Sequence, residues 1–243
     1  DAEQDGIMRA VWLGDVSADY EAEDPASGKL HRYGCSGIDG TALGPVFGAA
    51  PDSAKKLMIA YGVYRDLERE DNDYQVILQY DPDVIDQYGK PLDQANPHHS
   101  GPDAPEAKYF LYTGNTTYGV QNVEYDEGLN VWWLAVYKGT KADYPNYSLF
   151  AIDGSKKPKK QALKGVPYIA KGSVVELFGK GAESDAKTGI SGWNFGVGST
   201  GLVELGGGLY YISHNYKIDK GQGSTIRLYK RSADLSKPFE QVR

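Results

Sequence analysis

The sequence predicts an all-β chain built from three imperfect four-stranded repeats, with a partial repeat ahead of them. Three observations carry this. Segments Gly37 to Asp81, Gly114 to Gly154 and Gly192 to Arg231 align with one another, and their glycines Gly44, Gly119 and Gly196 set a period of about 76 residues. The 243 residues include 30 Gly, 12 Pro and 19 Tyr, a composition suited to many short strands joined by turns. No segment sustains a helical period, and the nearest candidate, Ser53 to Lys56, is too short to count. The chain divides into a partial unit at 1–36 and full units at 37–113, 114–180 and 190–243 within one β domain.

Taken in order, Ile7 to Leu13 (IMRAVWL) and Leu30 to Tyr33 (LHRY) read as middle strands of an earlier unit lacking its first strand. Each full unit then opens with a Gly-rich strand. Some 12 or 13 residues after the aligned glycines comes an apolar strand, beginning near Leu57, Val131 and Leu209. Each of these ends in a tyrosine followed by a base: Tyr64–Arg65, Tyr137–Lys138 and Tyr216–Lys217. The recurring tyrosine reads as packing between units. Third strands contain Ile77–Leu78, Leu149–Phe150 and Ile226–Leu228. Fourth strands fall at Tyr109 to Tyr112 and Val174 to Phe178. Pro82 to Ala107, rich in Pro and Asp, reads as a long surface excursion, and Lys156, Lys157, Lys159 and Lys160 as a solvated turn. Trp132 and Trp133 are neighbours on one strand and therefore face opposite sides of it.

A Gly-rich inner strand, two apolar strands and an outer strand resemble the blade of β-propeller repeat proteins in general, over roughly residues 30 to 243. The resemblance is to an architecture and carries no family signature. It implies a central channel lined by the first strands, with ligands bound at its mouth. Three blades are fewer than the four to eight that usually close a ring. An upstream segment, a second chain, or a fourth blade combining the first strands with Phe239 to Val242 would complete it. A β-sandwich is the structural alternative.

The net charge of −7 argues against a nucleic-acid partner. The longest apolar run, Val131 to Tyr137, is strand-sized, so no membrane insertion is expected. Tyr- and Trp-rich strands on an acidic chain suggest an extracellular or periplasmic protein, and Asp1 in place of an initiator Met suggests a segment removed upstream. The lone Cys35 reads as a small apolar residue, with His31 four positions away.

The loops entering the presumed inner strands place Asp39, Asn115 and Asn194 at similar positions, with Trp193 beside them. A carboxylate, two amides and an indole suit a sugar, with polar groups for hydroxyls and an aromatic face for the ring. The leading expectation is an exported propeller that binds a small polar ligand, a carbohydrate, and is not an enzyme. One alternative is a propeller-fold glycoside hydrolase or lyase using Asp39, Glu124 or Glu204, since hydrolysis needs paired carboxylates. The other is a structural or protein-interaction scaffold. No cofactor or metal is expected: Asp71-Asn72-Asp73 lacks calcium-loop spacing, His98–His99 lacks partners, and His214 reads as structural. Gly196 to Gly201 (GVGSTG) has no following helix and so is no phosphate loop.

Overall fold

The computed structural model describes residues 7–23, 27–28, 37–61, 66–114 and 116–243. Cys35, His31, Leu30 to Tyr33, Tyr64–Arg65 and Asn115 lie outside the described residues. The elements are β1 (Arg9–Ala10), α1 (Gly14–Glu21), β2 (Ile38–Pro45), β3 (Lys55–Tyr61), β4 (Tyr74–Tyr80), α2 (Pro82–Tyr88), β5 (Lys90–Pro91), β6 (Ala107–Tyr112), β7 (Val120–Asp126) and β8 (Val131–Val136). They continue as β9 (Leu149–Asp153), β10 (Lys159–Gln161), β11 (Gly172–Val174), β12 (Glu183–Ser184), β13 (Ser191–Gly192), β14 (Leu202–Gly206), β15 (Leu209–Ile218), β16 (Gly221–Arg231) and β17 (Phe239–Gln241). Among the described residues the protein is all-β apart from two short helices.

Three antiparallel meanders carry the chain. In the first sheet β2, β3, β4 and β6 pair in sequence order, and β11 and β10 extend it beyond β6. The second sheet is β7-β8-β9, with residues 176–178 hydrogen-bonded along β9 through Asp153 N to Glu176 O and Phe178 N to Ala151 O. The third is β14-β15-β16-β17. The middle and third strands fall where the alternation places them, whereas Phe239–Gln241 pairs with β16 as the fourth strand of the third sheet and not with the N-terminal strands. The stretch expected as one fourth strand at Val174 to Phe178 is shared instead: Val174 pairs with β6 and Leu177 bridges Ile152.

The sheets stack face to face because strands alternate their side chains. Trp132, Leu134 and Val136 of β8 pack with Met58, Ile77 and Tyr109 of the first sheet. Val131, Trp133 and Ala135 pack with Tyr210, Ile212 and Phe239 of the third. The second sheet is thus the middle layer, and every residue of β8 is buried. The first sheet is also covered on its far side. There Tyr61, Val76, Leu78 and Phe110 meet Leu163 and Val166, with Leu13 and Val16 of the α1 region packed against them. A residue that alternation would send to solvent is therefore apolar in both β4 and β8.

The first strands β2, β7 and β14 run side by side, β2 beside β7 and β7 beside β14. No closed ring or barrel forms among the described residues, and the three sheets remain separate. The three aligned glycines do not occupy one structural position. Gly44 is near the end of β2, where an added Cβ would sit 2.6 Å from the Trp132 ring. Gly119 turns the chain into β7 at φ +81°, and Gly196 lies in a loop ahead of β14 with open space around it. Close approach explains the first, turn geometry the second, and nothing in the packing explains the third.

Several expectations are corrected by local chemistry. Ile7 to Leu13 does not form a blade strand: only Arg9–Ala10 pairs, with Lys90–Pro91, and α1 follows. The excursion after Tyr80 contains α2, started by Pro82 and by Asp81, whose carboxylate accepts from Asp83 N at 2.9 Å. Lys159–Gln161 is a strand paired with Gly172–Val174, not a turn.

A candidate ligand cleft between the second and third sheets

Each of the first two inner strands carries a β-bulge near its start. In β2 the register slips between Ile38 and Gly40, which turns Asp39 out of the ladder. In β7 it slips between Val120 and Asn122, which does the same to Gln121. Bulges re-aim side chains, and here they aim two at each other. Gln121 Nε2 donates to Asp39 Oδ2 at 3.1 Å and to Tyr118 O at 3.3 Å. Beyond the bulge, Asn122 Nδ2 donates to the carbonyls of Gly198 and Ser199 at 3.1 and 3.0 Å, tying β7 to the loop that enters β14.

Beside that tie lies a cleft of about 360 Å³, lined by Tyr137, Lys138, Ser148, Asn194, Phe195 and Ser199 among others. Tyr137 and Lys138 leave the end of β8, so their side chains escape the buried layer that holds Val136. Ser148 fixes the opposite wall: its hydroxyl donates to Phe195 O and accepts from Phe195 N, both at 2.8 Å. Trp193 O accepts from Ser148 N and Leu149 N at 3.1 Å, which seats this loop on β9. Lys138 Nζ reaches Asn194 Oδ1 at 3.4 Å, and Asn194 Nδ2 donates to Glu183 Oε2 at 3.3 Å. The Tyr118 ring meets Tyr137 edge-on at 5.5 Å. The cleft therefore presents an ammonium group, an amide and a half-buried phenol ring on a hydrogen-bonded frame.

Of the residues singled out in the sequence, Asn194 lines the cleft, whereas Asp39 is not among its lining residues and accepts a hydrogen bond from Gln121 instead. Trp193 is elsewhere. It is 3% exposed, packs on Trp133 at 5.3 Å and donates its indole N–H to Leu235 O at 2.7 Å, so it has no open face for a sugar. Tyr137, read as inter-unit packing, lines the cleft, and its counterpart Tyr216 is 51% exposed. Gln121, Tyr118 and Lys138 escaped notice as site residues. The recurring tyrosine–base pair at a strand end was the signal for Lys138, whereas nothing in the sequence marks a bulge at Gln121.

Glu124 and Glu204, named as hydrolytic candidates, do come together, on the inner strands of the second and third sheets. Burial pushes the Glu124 carboxyl up to about 7, opposed by the hydrogen bond it accepts from the Glu204 backbone N–H and assisted by the Glu204 charge. Glu204 itself accepts from Gly206 N at 2.7 Å and Gly208 N at 3.3 Å, capping the hairpin turn. Asp71 is held by Arg69 at 2.8 and 2.7 Å, and Asp73 by Lys141 and Tyr144, so both carboxylates already face protein donors. His99 stacks on Trp12, and His214 Nε2 shares a 2.7 Å hydrogen bond with the Tyr229 hydroxyl.

No protein-family model matches the chain, and neither does a curated protein or a solved structure.

Proposed function

We propose that the chain is a three-bladed β-propeller segment that binds a small polar ligand, a carbohydrate, in the cleft between its second and third blades. Support for the architecture comes from three antiparallel meanders, stacked face to face with their first strands side by side. The observation that carries the ligand is the make-up of the cleft. Its volume of about 360 Å³ suits a small molecule, and its wall sets the Tyr137 ring beside Lys138, Ser148, Asn194 and Ser199. An aromatic face takes the C–H surface of a sugar while an amide and an ammonium group take its hydroxyls.

A glycan array followed by calorimetry tests this. The wild type should bind at least one glycan, and Tyr137→Ala and Asn194→Ala should each weaken that binding about tenfold or more with circular dichroism unchanged. If wild-type protein binds no glycan, or both variants bind as it does, the reading fails.

A second reading, glycoside hydrolysis, is favoured by the meeting of Glu124 with Glu204. A carboxyl that burial pushes up to about 7 suits a general acid, and hydrolysis needs a second carboxylate beside it, which Glu204 on the neighbouring inner strand supplies. Turnover of aryl glycosides that Glu124→Gln abolishes would support it over simple binding.

A further inference from the structure

The third sheet ends the stack with a face that none of the described residues covers. Val203 pairs with Tyr211 and Tyr211 with Leu228, while Val242 N donates to Leu228 O. Residues directly opposite one another share a face, so these four form an apolar row across all four strands. Their partners one position along, Leu202, Tyr210, Ile212 and Tyr229, are the ones buried against the second sheet. Val203 is 47% exposed, Tyr211 49%, and Ile226, in the next row, 69%. A sheet with one solvated face ordinarily carries polar side chains there. A contiguous apolar patch of this kind marks an interaction surface.

We infer that a second copy of this chain covers the face, third sheet against third sheet, about a two-fold axis. Three features of the molecule select that occupant. The protein is already a stack of sheets joined by apolar layers, and another sheet continues the stack with the same packing. The outer face of the first sheet is closed by Leu163, Val166 and the α1 region, so in a second copy the bare face is that of the third sheet. The charges bordering the apolar rows, Lys230 and Glu240, pair with each other at 3.2 Å, and Lys217, also on this face, stands three rows from Tyr211 towards the hairpin end, so two identical apolar patches meet without like-charge repulsion.

Sedimentation equilibrium on the full chain tests the inference directly. At about 50 µM the wild type should have twice the 26.6 kDa chain mass, falling towards one chain on dilution. Val203→Lys combined with Tyr211→Lys should raise the dissociation constant about a hundredfold or more, because it sets unpaired ammonium groups in the apolar layer. Tyr216→Lys, on the opposite face of the β15–β16 hairpin, should leave dimerisation unchanged. If the double variant loses its circular dichroism, Ile226→Lys, at the most exposed position, serves in its place. A wild type that stays monomeric at 50 µM, as it would if a different protein covered the face, overturns the inference. A dimer indifferent to the lysine substitutions overturns it equally.

Discussion

Replacing Asp126 by alanine should lower stability by about 3–4 kcal/mol, because this carboxylate is the polar knot between the second and third sheets. It sits at the end of β7 with no solvent exposure. One oxygen accepts from the Tyr210 hydroxyl and, at 3.4 Å, from the Trp133 indole N–H. The other accepts from the Arg231 guanidinium and from Leu129 N at 3.1 Å. Alanine leaves the Tyr210 hydroxyl orphaned in a fully buried site, which costs about 1–3 kcal/mol. It also strands the guanidinium, and breaking a buried pair costs about 3–5 kcal/mol. The Arg231 side chain is 25% exposed, so water takes over part of its charge and the total stays near the lower figure. At about 2–4 °C per kcal/mol for a chain of this size, the melting temperature should fall by roughly 6–16 °C. Urea unfolding of Asp126→Ala, Tyr210→Phe and the double variant measures it. Tyr210→Phe alone should cost about 1 kcal/mol, and the double variant should cost less than the sum of the singles, since both remove one hydrogen bond. A loss under about 1 kcal/mol for Asp126→Ala, or strict additivity, would refute the reasoning.

Gly44→Ala should destabilise the chain by about 1–3 kcal/mol, because the new methyl lands 2.6 Å from Trp132 and 2.8 Å from Tyr125, both buried and unable to yield. Thermal melts against the wild type check this, and an unchanged melting temperature would mean β2 can shift away from β8. Glu124 gives a pH dependence. Its folded-state pKa is raised to about 7, so the native state holds a proton that the unfolded chain gives up, and stability should fall as pH rises from about 4.5 to 7. Glu124→Gln should flatten that slope in urea titrations at successive pH values, and an identical slope in both proteins would assign it to other groups.

The apolar strands were legible because each is a short run bounded by turns, and the split between Trp132 and Trp133 follows from alternation alone. Both helices were missed. The α1 segment fully buries only Asp19, whose carboxylate takes the Tyr61 hydroxyl and Lys108, and of its own side chains sets only Val16 on the apolar layer, so it leaves no apolar period. Trp193 was misplaced for a related reason. It borders a polar loop in sequence, yet its packing partner Trp133 and its hydrogen-bond acceptor Leu235 are both distant along the chain. Contacts of that separation leave no mark on local composition. The excess apolar content of the third sheet's outer face was equally hidden, because a strand with apolar residues on both faces reads the same whether or not both are covered.

What repeats between the first two units is the backbone irregularity, not the residue type. The inner strand of each slips register at its second residue, and the two displaced side chains, Asp39 and Gln121, meet. The third unit breaks the pattern. Its slip falls at the other end of the inner strand, between Glu204 and Gly206, next to the Gly206–Gly208 turn that Glu204 caps. With no bulge at its start, β14 sends no third side chain to join Asp39 and Gln121. The loop ahead of it takes that place, pinned by Asn122 on the Gly198 and Ser199 carbonyls and by Ser148 on Phe195. A loop held at both ends but not paired to a strand leaves space beneath it, and that space is the cleft between Tyr137 and Asn194. Departure of the third unit from the repeat is thus what creates the candidate site. Gly196→Trp, at a lining position where an added Cβ meets nothing within 4 Å, should fill the cleft and abolish ligand binding while the three sheets remain folded; calorimetry and circular dichroism on that one variant would separate the two effects.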